Sequence, residues 1–160
     1  MHTPPVTSSL PIPAIVPRVN ALVAWALRAG IPMGPNVLMT VRGRRSGVPR
    51  TVPVAVLEVE GRRFVFSPFG EVAWVHNLRA AGEAELRHGR RRETVAAEEL
   101  SPETAAPFLE AGLRDVMRVP RIGTMIAAWY GLGRESTSAD ALEAARRHPG
   151  FELSASRAHP

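Results

Sequence analysis

Residues 36–67 read NVLMTVRGRRSGVPRTVPVAVLEVEGRRFVFS, three β-rich runs separated by one long loop and one tight turn. The runs NVLMTVR, TVPVAVLEVE and RRFVFS are dominated by β-branched and aromatic residues, and Glu60-Gly61 predicts a hairpin turn between the second and third. Val52, Pro53, Val54, Ala55 and Val56 make the second run apolar on both faces, so it is expected to be covered on both sides, as in a closed or nearly closed barrel. The loop is the unusual part. Residues 41–50, VRGRRSGVPR, hold Arg42, Arg44, Arg45 and Arg50 beside Gly43 and Gly47. A hairpin that only turned would need two to five residues and no guanidinium groups. Glycine amides, the Ser46 hydroxyl and flanking arginines together make a cradle for phosphate or carboxylate.

Outward from this block, residues 1–17 carry five prolines in the stretch TPPVTSSLPIPAIVP and read as an irregular arm. RVNALVAWALRAG follows with Val19, Leu22, Val23, Ala26 and Leu27 at helical spacing, and Gly30 stops it. This helix is too short and too charged to span a membrane and is expected to dock on the protein's own core, with contact at a membrane surface as the other use of its apolar face. Downstream, EVAWVHNLRAAG reads as a helix ending at Gly82, with Trp74, Leu78 and Ala81 on one face. Glu83–Arg87 and RRRETVAAEEL form a second hairpin around His88-Gly89, whose arginine-rich tip, Arg90 to Arg92, reads as a solvated turn. Ser101-Pro102 opens a helix, two more cover about Ile122–Leu132 and Ser138–Arg147, and HPGFEL closes the chain as a strand. The expected organisation is one α+β domain over 18–154, an antiparallel barrel of six or seven strands with flanking helices, and a tail at 155–160.

Composition narrows function. The chain has 160 residues, no cysteine and a net charge of +5, and all 20 of its basic residues are arginine. Thiolate chemistry is excluded, and the five histidines show no metal-ligand spacing, so no metal is expected. The loop GRRSG is not a nucleotide P-loop, which needs a lysine this chain lacks, and Gly131–Ser136 is too short and wrongly placed for a dinucleotide fingerprint. No RNA-reading aromatic motif accompanies the arginines, so a nucleic-acid partner is not expected. Without a charged segment leading an unbroken apolar run at its start, the chain is expected to be cytoplasmic. The lone tyrosine, Tyr130, reads either as a core residue or as a proton donor.

Two motifs together resemble the deazaflavin-dependent nitroreductase-like family, which has the split β-barrel fold shared with FMN-binding oxidases. The first is Gly43, Arg44, Arg45, Ser46, Gly47 and Arg50, followed by Thr51 and Pro53; the second is Ser67 and Gly70 followed by Ala73, Trp74, Asn77 and Leu78. HPGFEL resembles the last strand of one branch. The likeness spans about residues 20–154. It implies the deazaflavin coenzyme F420, with its anionic tail on the arginine loop and its ring against Thr51, Pro53, Val54, the Ser67–Gly70 turn, Trp74 and Asn77. It also implies hydride transfer to a small or lipophilic acceptor of quinone, enone or nitroaromatic type. The stretch SPFGEVAW has one glycine where the family often has two, and Tyr130 stands alone where nitro-reducing members carry several tyrosines. An FMN enzyme of the same barrel, or a deazaflavin-binding protein without turnover, are the alternatives.

Overall fold

In the computed structural model, which describes residues 12–31 and 35–156, six strands close into one antiparallel barrel in the order β1-β2-β3-β6-β5-β4. They are β1 (Asn36–Arg42), β2 (Pro49–Val59), β3 (Arg62–Phe66), β4 (Glu83–His88), β5 (Arg91–Glu99) and β6 (Gly150–Ala155). The expected proline-rich arm and the end of the expected tail lie largely outside the described residues.

Side chains alternate across each strand. Val37, Met39 and Val41 of β1, Val54 of β2, Val65 of β3, Leu86 of β4, Val95 of β5 and Phe151 and Leu153 of β6 fill the barrel. The opposite faces of β2 and β3 present Leu57, Phe64 and Phe66 to a second core built with three helices. These are α3 (Pro102–Val116), α4 (Ile122–Trp129) and α5 (Ser138–Arg147). Ser101 caps α3 by accepting from the Thr104 amide, and Thr137 and Asp140 form a reciprocal capping box on α5. Between β3 and β4, helix α2 (Ala73–Ala81) lowers Val75 and Leu78, both fully buried, into one end of the barrel.

Three sequence expectations need correction. The doubly apolar β2 is not covered on both sides along its whole length. Its inner face is packed and Leu57 is covered outside, but Thr51 and Ala55 are exposed on the outer face. The helix α1 (Val16–Arg28) docks through Val23, Ala24 and Leu27 onto Leu38, yet Val19 and Leu22, expected in that contact, point away. Together with Ile15 and Trp25 they form an exposed apolar stripe, Leu22 at 64% and Trp25 at 61%. On α2, likewise, Ala81 is exposed, and the buried positions are Val75, Asn77 and Leu78.

Candidate functional site

The arginine loop joins β1 to β2 at the barrel end that α2 plugs. It is a built turn, not a slack one. The Gly43 amide donates to the Val48 carbonyl at 2.9 Å, and the Gly47 amide donates to the Gly43 carbonyl at 2.9 Å. Gly47 sits at φ +71, in the left-handed region that suits glycine. A Cβ on Gly43 would come within 3.0 Å of the Val48 carbonyl oxygen and 3.1 Å of Ser46 Oγ, so the loop closes onto itself at that point. Ser46 Oγ accepts from the Val48 amide at 3.2 Å. The amides of Arg45 and Ser46 have no hydrogen-bond partner among the described residues.

The arginines are not equivalent. Asn77, 7% exposed on α2, accepts through Oδ1 from both the Arg44 amide at 3.2 Å and the Arg44 guanidinium at 2.9 Å. Arg44 therefore anchors the loop to the helix through the amide oxygen of Asn77. Arg42, Arg45 and Arg50 are exposed and make no ion pair among the described residues. Their charge is available to an anion, and free forks beside unpartnered amides are what a phosphate or carboxylate tail requires.

Next to the loop, the outer face of β1 and β2 is open. Thr40 and Thr51 stand opposite each other, with their hydroxyl oxygens 2.8 Å apart. Half-buried Pro53 and exposed Ala55 continue the surface along β2. Val54, expected at the ring site, points the other way into the barrel and is 7% exposed. Only its backbone belongs to the outer surface.

The turn after β3 is held from behind. Ser67 is fully buried, and its hydroxyl donates to the Gly70 carbonyl at 2.6 Å, so it shapes the turn and does not reach outward. The Ser67 amide donates to the Pro149 carbonyl at 3.0 Å, and His148 Nδ1 donates to the Ser67 carbonyl at 2.8 Å. Arg79 ties the following segment down, donating to Glu71 at 3.0 and 3.1 Å and to Glu99 at 2.6 and 2.7 Å. These contacts, to Glu99 first, raise the arginine's pKa further. Trp74 is half-buried and packs on Phe151 with ring centres 6.3 Å apart.

Tyr130, the candidate proton donor, lies behind the same turn. It is 7% exposed, its hydroxyl donates to the Phe66 carbonyl at 3.3 Å, and its ring packs on His148 at 4.8 Å. Burial pushes its pKa above the usual phenol value. A hydroxyl enclosed this way supports the turn. The clamp by His148 and Pro149 and the partner hydroxyl of Thr40 escape a sequence reading, because each depends on strands far apart in the chain lying side by side.

Burial, ahead of the opposing hydrogen bond to Ser67, depresses the His148 pKa below its usual 6.5. A histidine kept neutral in the fold but free to protonate when unfolded contributes stability above about pH 6.5, lost as the pH falls through that value toward the depressed one. Melting curves between about pH 8 and pH 5 are expected to show a smaller acid loss for His148→Asn, which keeps a short donor, than for the wild type. Equal slopes would mean that His148 does not couple folding to pH.

The fold is thus a closed antiparallel barrel with a structured cationic loop at its plugged end and an open strand face beside it. The chain belongs to the F420H(2)-dependent quinone reductase family, whose model matches residues 16–117. It is an oxidoreductase that uses coenzyme F420. Among solved structures it is similar to an F420-H2 dependent reductase, FDR-A, with 21% identity over 75% of this chain and 94% of that one at a TM-score of 0.50. It is also similar to a protein described as a domain-swapped dimer, with 18% identity over 88% and 100% of the two chains and a TM-score of 0.52. Both likenesses support the split-barrel fold. No curated protein matches the chain.

Proposed function

We propose that this protein reduces a quinone-type acceptor with F420H2, and that Arg45, Arg50 and the free amides of Arg45 and Ser46 hold the coenzyme's anionic tail. The observation that carries this reading is the pairing of a rigid, uncompensated arginine loop with an open β1–β2 face. Arg44, locked to Asn77, sets the loop's shape and adds charge. The ring would lie along Thr51, Pro53 and Ala55, bounded by the Ser67–Gly70 turn and Trp74. When bound, the coenzyme supplies a hydride from its reduced ring. The chain's own task is to position that ring, exclude water from one face and offer a proton, for which the exposed Thr40–Thr51 hydroxyl pair is better placed than Tyr130. The apolar stripe of Ile15, Val19, Leu22 and Trp25, flanked by Arg18 and Arg28, favours a lipophilic acceptor met at an anionic membrane surface.

The test is F420H2 oxidation followed by absorbance, with menadione, cyclohexenone and a nitroimidazole as acceptors, and with a long-chain quinone carried in vesicles. Fastest turnover with menadione is expected, and anionic vesicles should deliver the long-chain quinone better than neutral ones. Faster turnover of the enone or nitro compound would replace the acceptor class. Coenzyme binding without oxidation by any acceptor would mean a binding protein.

A further inference from the structure

The other end of the barrel is closed in a different way. Where α2 stoppers the cofactor end with Val75 and Leu78, the opposite end, between the β2–β3 and β4–β5 turns, opens into a cavity of about 440 Å³. Its floor is Val37, Val56 and Leu86, and its walls are Arg63, His88, Arg91 and Glu93. These polar residues occupy inward positions: Arg63 is two residues before the buried Val65, His88 two after Leu86, and Glu93 two before Val95. Alternation alone would place apolar side chains there, and a purely structural stopper would be apolar, since half-buried charges carry a desolvation cost. Arg63 and Glu93 pair with each other through both guanidinium nitrogens, across the intervening strand β6. That pairing holds the Glu93 carboxyl below its usual pKa. Glu58 lies directly opposite Arg63 on the neighbouring strand, and Glu60 sits in the β2–β3 turn at the same end. Arg91, directly opposite His88, has no ion-pair partner among the described residues.

We propose that this barrel mouth is a second binding site, for a small amphipathic carboxylate whose apolar chain lies on Val37, Val56 and Leu86 and whose carboxylate pairs with Arg91. The mouths of β-barrels are a recurrent location for such sites, and the cavity falls within the usual range of about 300–1,000 Å³ for small-molecule pockets. The chemistry selects the ligand. Arg63 pairs with Glu93, and Arg91, which acts on Glu93 only from a distance and forms no ion pair among the described residues, is the guanidinium left to meet a ligand, while the apolar floor excludes a ligand that is charged throughout. A planar carboxylate matches a guanidinium fork in two contacts, which a neutral alcohol does not. The site uses no residue of the arginine loop, so it stands or falls independently of the coenzyme reading.

The probe is hexanoate, titrated against the full chain while the methyl resonances of Val37, Val56 and Leu86 are followed by NMR, with hexanol and hexylammonium as comparisons. Hexanoate is expected to shift these methyls saturably, hexanol to bind at least about tenfold more weakly, and Arg91→Gln to weaken hexanoate by about tenfold or more. Arg91 is exposed, and an unchanged melting temperature with unchanged F420 affinity will show that the variant is folded and its cofactor site intact. Equal hexanoate affinity in wild type and Arg91→Gln, hexylammonium binding as tightly as hexanoate, or no saturable methyl shift would each overturn the proposal.

Discussion

Replacing Arg45 and Arg50 with alanine, singly, is expected to raise the dissociation constant of reduced F420 by about tenfold to a hundredfold each, and the double replacement to do more than either. Each guanidinium offers a charge-assisted, two-pronged hydrogen bond to a phosphate or carboxylate, worth about 1.5–3 kcal/mol, and 1.4 kcal/mol is a factor of ten. Neither side chain makes an ion pair or hydrogen bond within the described protein, so removing it breaks nothing in the fold. Relief of repulsion between neighbouring charges should leave the melting temperature level or slightly higher. Salt is the diagnostic: screening weakens the wild type more than the variants, so the difference between them narrows as salt rises. Fluorescence titration of the coenzyme at low and high salt measures all of this. Equal affinities in all of these proteins would remove the arginine loop from the cofactor site.

Asn77→Ala is expected to act through the loop. Its carbonyl oxygen receives two hydrogen bonds from Arg44, one from the backbone and one charge-assisted. Deleting it leaves the Arg44 amide without a partner at a part-buried position and removes the charge-assisted bond, a loss of about 1–3 kcal/mol in stability, and frees the loop to sample shapes that do not fit the tail. Cofactor affinity should fall about tenfold although no ligand contact has been removed. A double-mutant cycle with Arg44→Ala separates the two roles. If Asn77 works by holding Arg44, the effects are less than additive by about 0.5–3 kcal/mol, in the range seen for residues in direct contact. Full additivity in binding, with normal stability for Asn77→Ala, would instead mean that Asn77 meets the coenzyme itself.

Much of this architecture was legible in residues 36–67. Alternating β-branched runs and a two-residue turn at Glu60-Gly61 point to a barrel, and the structure has Glu60 at φ 53 and Gly61 at φ 73 in that turn. Local chemistry is enough there, because turn geometry and strand alternation are set within a few residues. The helix cap at Ser101 was readable for the same reason. The errors fell where a residue's surroundings come from elsewhere in the chain. Val54 reads as one of five apolar neighbours, and only the barrel's closure decides that it faces inward while Thr51 and Ala55 stay open. Val19 and Leu22 have the spacing of a docking face, but α1 meets β1 through Leu27 and Ala24 and leaves them outside.

By itself, then, the sequence determined the strand order of the central block, the loop that carries the charge and the absence of cysteine chemistry, because composition and short-range geometry need no partner. Tertiary structure alone decided which arginine is an anchor and which are free, since Asn77 lies 33 positions from Arg44. It decided that Tyr130 and His148 brace the Ser67 turn from behind, across 64 and 81 positions. It decided as well that one barrel end is stoppered by a helix and the other lined with charge. A side chain's type states what it can do; whether it is buried, paired or exposed depends on strands that meet only when the barrel closes.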